Sequence, residues 1–211
     1  MNLFLASDAK NPLTLEKLRE VVGGFEGKKI TYIPTAANGE HGWECWKHPD
    51  GMWEKVNNLG AEVTLTVLED YGNNSVLKLL EGQDIIWLAG GMSGYLMYWL
   101  KRCEIDKELP RLLENKNLWL VGSSCGAMAM GKTLEIAPWP LTDAEIGGSD
   151  FKPLGLVDFD IFPHYEDDMF EEIKKDYKGE KLYLLKNGEE IVVRDGEVEL
   201  VGEKRIVGKN S

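Results

Sequence analysis

Cysteine and basic residues are scarce in this sequence. Three cysteines occur among 211 residues, at positions 45, 103 and 125, and none of them has CxxC spacing. An odd count without paired spacing argues against a disulfide framework and against a structural zinc site. Lys and Arg number 24 against 36 Asp and Glu, a net charge of -12. Because nucleic acids and anionic membranes are polyanions, this charge argues against either as a partner.

Long apolar runs are also missing, and none is long enough to cross a bilayer. The N-terminus, MNLFLASDAKNP, is apolar over too few residues for a signal peptide and has no basic region before them. We therefore expect a cytoplasmic protein. A hydrophobic content of 43% fits one compact domain over residues 1–211. We expect a monomer or a homodimer. Nothing in the sequence calls for a cofactor or a metal ion.

Apolar strands alternate with helical patterns along the first 124 residues. This alternation predicts an α/β fold, an open and mostly parallel sheet with helices on both faces. The predicted strands are 2–6, 29–36, 61–68, 84–91 and 118–124, and the predicted helices are 14–25, 50–60, 74–82, 93–103 and 107–115.

After residue 131 the pattern changes to short extended segments at 133–139 and 156–162, followed by a helix over 166–179. Residues 181–207 read as strands joined by tight turns at Asn187-Gly188 and Asp195-Gly196, and we expect a β-hairpin near the C-terminus.

The stretch GSSCG at 122–126 follows a buried strand and opens a helix. A nucleophile elbow needs such a turn, with small residues two positions before and after the nucleophile. Centring that frame on Ser124 places glycine on both sides, whereas centring it on Cys125 does not. We therefore predict Ser124 as the nucleophile, with the Cys125 N–H directed at the oxyanion. A second N–H is expected from the Gly90-Gly91 turn, where missing side chains allow close approach.

A serine nucleophile needs a base, and the chain has only three histidines. His164 follows an apolar strand and precedes a helix, so it lies at a strand end that can face the elbow. His41 and His48 lie in a polar loop with Trp43, Trp46 and Trp53. That loop is interpreted either as a substrate-lining lid or as a surface loop that its tryptophans anchor to the core.

The residue that orients the imidazole stays open at this point. Glu166 lies two residues after His164 in an H-x-E spacing, and Asn187 and Glu189 lie in a later turn. Several aspartates lie between Ser124 and His164, at positions 143, 150, 158 and 160.

Three motifs in the same order resemble the serine peptidases of family S51, the aspartyl dipeptidase (peptidase E) and cyanophycinase group. They are LAGGMSGYL at 88–96, VGSSCGAMA at 121–129 and LGLVDFDIFPHY at 154–165. The family typically shows a glycine pair followed by Asn and Thr, then G-x-S-A-G-A, then a G-L run leading to P-H-[FY]. The resemblance covers most of the chain and implies a fold similar to the class I glutamine amidotransferases.

Carried over by position, Ser124 resembles the family's nucleophile and His164 its base. The Gly91 and Cys125 amides resemble the oxyanion hole, and the family's acid in the late turn aligns with Asn187. The resemblance therefore implies a serine hydrolase, a small peptidase or dipeptidase that acts on a small peptide through an acyl-enzyme. The chain departs from the pattern with Met92 in place of Asn and Cys125 in place of Ala.

Three other interpretations remain. One is a glutaminase-like amidohydrolase that uses Cys125 with His164 and Glu166. Another is a binding or sensing relative of the fold that has lost the catalytic acid and activity. A general α/β-hydrolase is the third, although such folds place the histidine last in the chain and 47 residues follow His164 here.

Overall fold

The computed structural model describes residues 1–41, 44–49, 51–136 and 151–209 of the chain, with only the backbone described at residue 41. Within these residues, seven strands form one sheet: β1 (Asn2–Ala6), β2 (Lys29–Ile33), β3 (Glu62–Leu65), β4 (Ile85–Leu88), β5 (Trp119–Ser123), β8 (Glu190–Arg194) and β9 (Glu197–Val201). Their order across the sheet is β3-β2-β4-β5-β1-β8-β9. Strands β1 to β5 are parallel, and β8 and β9 are antiparallel additions at one edge.

Helices cover both faces of this sheet, which confirms the predicted α/β class. Side chains alternate between faces along a strand, so Leu3 and Leu5 join one buried cluster while Phe4 and Ala6 join the other. The helices are α1 (Pro12–Val22), α2 (Thr35–His41), α3 (Met52–Asn57), α4 (Leu68–Tyr71), α5 (Leu77–Leu80), α6 (Ser93–Arg102), α7 (Ile105–Leu112), α8 (Cys125–Met128) and α9 (Phe170–Asp176).

Most of the elements that the sequence predicted are present, but their ends differ. Helix α1 begins at Pro12, two residues before the predicted start, because the Asn11 side chain accepts the Leu13 N–H at 3.0 Å. It ends at Val22 rather than at residue 25, since Gly23 adopts a left-handed conformation with φ 76°. Strand β2 stops at Ile33, and residues 35 and 36 start helix α2 instead of extending the strand.

A second, three-stranded sheet lies beside the large one and was not foreseen. It has the order β10-β7-β6 and consists of β6 (Asp160–Phe162), β7 (Leu182–Leu184) and β10 (Ile206–Val207). The Asn187-Gly188 turn therefore does not close a hairpin, because it carries the chain from β7 in the small sheet to β8 in the large one. The Asp195-Gly196 turn does close the predicted hairpin between β8 and β9, with φ 50° and 89°.

The extended segment predicted at 133–139 is not a strand over residues 133–136, and the rest of it lies outside the described residues. Its start is held instead by the buried Asp160 carboxylate. Oδ1 accepts the N–H groups of Lys132 and Thr133 at 2.8 Å, and Oδ2 accepts the Tyr177 hydroxyl at 2.8 Å. In the described part of the chain, no helix combines the length and apolar character that crossing a membrane requires.

Candidate active site

Ser124 lies on a strained turn between β5 and α8. Its backbone has φ 53° and ψ -119°, a conformation that L-residues rarely adopt. The turn is held from both sides, because the Ser124 N–H donates to Ala6 O at 2.9 Å and the Ser124 carbonyl accepts the Ala127 N–H at 2.9 Å. This is the backbone of a nucleophile elbow, which presents one half-buried hydroxyl at the carboxyl end of the sheet.

The two glycines that flank Ser124 are required by close backbone contacts. A Cβ on Gly122 would lie 2.5 Å from Gly126 O, and a Cβ on Gly126 would lie 2.5 Å from Leu88 O. No side chain fits at either position, so the register that centres the elbow on Ser124 has a steric reason.

The Gly90-Gly91 turn after β4 lies directly against Ser124. A Cβ on Gly90 would be 3.1 Å from the Ser124 Cβ, and Gly91 has φ 137° with its backbone against the Ala36 carbonyl. The Met92 N–H donates to Ala36 O at 3.0 Å and fixes the turn to the start of α2. Among the described residues, the Gly91 N–H has no hydrogen-bond acceptor.

His164 reaches Ser124 from the small sheet. It follows β6, its φ is 54°, and its ring is exposed to solvent. Its Nε2 lies 2.9 Å from Ser124 Oγ, and its Nδ1 lies 2.7 Å from Asn187 Oδ1. The structure thus joins Ser124, His164 and Asn187 in one hydrogen-bonded chain.

Glu166 and Glu189, the other nearby candidates for orienting the ring, lie elsewhere. Both ring nitrogens of His164 are already engaged, and the Glu166 side chain is exposed at the start of a 3-10 turn. Glu189 accepts two hydrogen bonds from the Arg205 guanidinium, at 2.7 and 3.2 Å. Burial of its carboxyl raises the pKa, but these bonds and backbone N–H donors outweigh burial and lower the pKa below its ordinary value.

Of the four aspartates between Ser124 and His164, the two in the described part of the chain make no hydrogen bond to the His164 ring. Asp160 caps the segment after α8 as described above, and Asp158 is exposed. Asp143 and Asp150 lie outside the described residues.

Cys125 contributes its backbone to the elbow, while its thiol points into the protein. The side chain is 3% exposed, and Sγ lies 3.7 Å from Ala89 O. Helix α8 has only four residues, so its helix dipole contributes little and the local N–H groups matter most. The described residues contain no group of three or more His, Cys, Asp or Glu side chains that could hold a metal ion.

The tryptophan-containing loop is anchored to the core. Trp46 is buried and packs edge-on against Trp53, with ring centroids 6.2 Å apart, and Trp53 in turn packs on Tyr32 at 5.8 Å. For Trp46 and Trp53, these contacts favour the interpretation that tryptophans anchor the loop to the core. His48 is exposed, the His41 side chain is not described, and Trp43 lies outside the described residues.

Sequence reasoning missed Ser7, which follows β1 and is completely buried. Its Oγ accepts the His164 N–H at 2.8 Å and lies 3.3 Å from Asn187 Oδ1. Its position was the available signal. Ser7 directly follows β1, the parallel strand that pairs with β5, and therefore lies at the same edge of the sheet as the elbow.

Comparisons with known proteins identify peptidases as relatives of this chain. The chain is 29% identical over 203 residues to an uncharacterized peptidase of Listeria monocytogenes, covering 93% of this chain and 96% of that protein. It is 26% identical over 164 residues to an uncharacterized peptidase of Pasteurella multocida, covering 77% and 76%.

Two solved structures share the fold. A candidate peptidase E protein from Listeria monocytogenes superposes with a TM-score of 0.76 at 26% identity, covering 96% of this chain and 98% of the other. A peptidase from an acI-B1 Actinobacterium superposes with a TM-score of 0.66 at 17% identity, covering 100% and 95%. The model of peptidase family S51 matches residues 3–201, nearly the whole chain. The elbow, the fold and this match lead to one conclusion: the chain belongs to peptidase family S51.

Proposed function

We propose that this peptidase is of the serine type and cleaves small peptides through an acyl-enzyme on Ser124. The observation that carries the proposal is the continuous hydrogen-bonded chain from Ser124 Oγ through the His164 ring to Asn187 Oδ1, with contacts of 2.9 and 2.7 Å. These lengths lie within the range that nucleophile–base–orienter chains need.

In the first half of the reaction, Ser124 Oγ attacks the scissile carbonyl while His164 Nε2 takes its proton. For this step Nε2 must be unprotonated, so the ring proton resides on Nδ1. Asn187 Oδ1 faces His164 Nδ1 and accepts a hydrogen bond from its N–H, which favours the required tautomer.

The tetrahedral intermediate places negative charge on the former carbonyl oxygen. The N–H groups of Gly91 and Cys125 flank Ser124 from two different turns and are the donors that we assign to this oxyanion. His164 then returns its proton to the leaving amine, and a water molecule repeats the sequence to release the acyl group and restore the Ser124 hydroxyl.

The amide at Asn187 distinguishes this chain of residues from one with a carboxylate. A neutral amide oxygen orients the ring but stabilises the imidazolium less than an anion does. We therefore propose an active enzyme with a modest rate of acylation rather than a binding relative, and the short contact between Ser124 and His164 supports that choice.

Labelling with a fluorophosphonate, a general reagent for activated serines, tests the proposal without knowledge of the substrate. The wild-type protein should be labelled at Ser124, and Ser124→Ala should abolish labelling. Cys125→Ala is the matched comparison, since it changes the neighbouring residue and retains the backbone N–H.

Persistent labelling of Ser124→Ala, or an unlabelled wild-type protein, would contradict the assignment. Inactivation of a substrate-cleaving activity by iodoacetamide, together with an inactive Cys125→Ala variant, would instead indicate thiol chemistry. Hydrolysis of a library of short peptides, followed by mass spectrometry, would then identify the preferred substrate length.

A further inference from the structure

The proposed catalytic residues come from two different sheets. Ser124 belongs to the large sheet, where its N–H is bonded to Ala6 O at the end of β1. His164 and Asn187 follow β6 and β7 of the small sheet. The 2.9 Å contact between Ser124 and His164 therefore depends on how the two sheets are aligned at this edge.

Ser7 is bonded to both sides of that junction. It continues β1 directly after Ala6, so it moves with the strand that holds Ser124. Its Oγ accepts the His164 N–H at 2.8 Å, lies 3.0 Å from Leu185 O and lies 3.3 Å from Asn187 Oδ1.

The Ser7 hydroxyl can make these contacts and few others. A serine hydroxyl donates one proton and accepts with two lone pairs. The His164 N–H uses one lone pair, and the Leu185 carbonyl and Asn187 Oδ1 are the two oxygens within reach of the proton. Ser7 is completely buried, so water does not replace these partners.

We propose that Ser7 is a positioning residue that aligns the His164–Asn187 pair with the Ser124 elbow. It holds the backbone of His164 in a conformation with positive φ, and it contacts the amide that orients the ring. This inference rests on the proposed function in so far as alignment matters for catalysis. A misplacement of about 1 Å can lower a rate roughly 100-fold.

The test compares Ser7→Ala with Ser123→Ala in the full-length protein. Ser123 is also a buried serine, and its Oγ accepts the Ala9 N–H at 3.0 Å, so its replacement likewise removes the acceptor of a backbone N–H. We expect Ser7→Ala to lower the rate of fluorophosphonate labelling roughly 10- to 100-fold. Ser123→Ala should stay close to the wild-type rate at a similar loss of stability.

A second readout does not depend on activity. The chain has three histidines, so imidazole ¹⁵N spectra of histidine-labelled protein are simple, and His164→Gln identifies the signals of that residue. In the wild type, Nδ1 should be protonated and Nε2 should act as an acceptor. In Ser7→Ala both signals should move towards the average of two tautomers, while Ser123→Ala should retain the wild-type pair.

A folded Ser7→Ala protein with the wild-type labelling rate and unchanged His164 signals would overturn the proposal. If that variant does not fold, Ser7→Cys replaces it in the same comparison, because cysteine retains the side-chain shape of serine but is a weak hydrogen-bond donor. A wild-type protein that is not labelled would contradict the proposed function alone, and the nitrogen spectra would still test the role of Ser7.

Discussion

At the scale of single residues, the site is defined by three contacts of one imidazole ring and its backbone. Ser124 and Asn187 engage the two ring nitrogens of His164, and Ser7 engages its backbone N–H. Asn187 is the unusual one chemically, because the resemblance to family S51 implies a carboxylate at this position. Its amide oxygen retains the geometry of an orienting acid without the negative charge.

Asn187→Asp should therefore accelerate the reaction. A carboxylate accepts the Nδ1 proton in the same place and stabilises the imidazolium that forms as Ser124 attacks, so the rate of fluorophosphonate labelling should rise about tenfold.

Asn187→Ala is the comparison variant. It removes the orienting group altogether and should be labelled more slowly than the wild type. Equal labelling rates in the wild type and both variants would show that this position does not act on the ring.

At the scale of elements, the elbow is a contact between two backbones. Strand β4 and helix α8 approach so closely that a Cβ on Gly126 would lie 2.5 Å from Leu88 O. The closeness brings the Gly90-Gly91 turn, which follows β4, next to Ser124. The same packing that stabilises the elbow thus assembles the proposed oxyanion site.

Gly126→Ala should destabilise the protein by about 3 kcal/mol, because the new methyl group overlaps a backbone oxygen that cannot turn away. Gly60→Ala is the control: Gly60 has φ 87° and nothing within 4 Å of the new Cβ, so only left-handed strain of about 1 kcal/mol is expected. Urea unfolding measures both. A smaller loss for Gly126→Ala than for Gly60→Ala would contradict the steric argument.

At the scale of the whole molecule, a buried carboxyl links stability to pH. Glu190 is 1% exposed, pairs with Ala6 across β8 and β1, and accepts the Thr14 hydroxyl at 2.9 Å. Burial is the main cause that raises the pKa of Glu190 from 4.5 to about 7, against smaller opposite effects of Thr14 and Lys17.

Because the folded protein retains this proton to a higher pH than the unfolded chain does, the free energy of unfolding should fall as pH rises from 4.5 to about 7. The full loss for this one group is on the order of 3 kcal/mol. Glu190→Gln removes the ionisation, so its free energy of unfolding should exceed that of the wild type at pH 8. The advantage should shrink at pH 5. Parallel pH dependences of the two proteins would contradict this account.

The sequence predicted much of the site because the relevant signals are local. The glycine frame around Ser124 lies within five residues, and only three histidines competed for the role of base. Strand and helix assignments depended on periodicity, which is local as well. The small sheet escaped prediction because its strands are two or three residues long and pair across large gaps in the sequence.

By itself, then, the sequence determined a mostly parallel α/β fold and a glycine-framed elbow centred on Ser124, since both follow from spacing along the chain. Only the tertiary structure decided which side chain meets His164 Nδ1 and which hydroxyl holds its backbone. Asn187 lies 23 residues after His164, and Ser7 lies 157 residues before it. Contacts over such separations arise from the packing of two sheets against each other, and no local pattern encodes them.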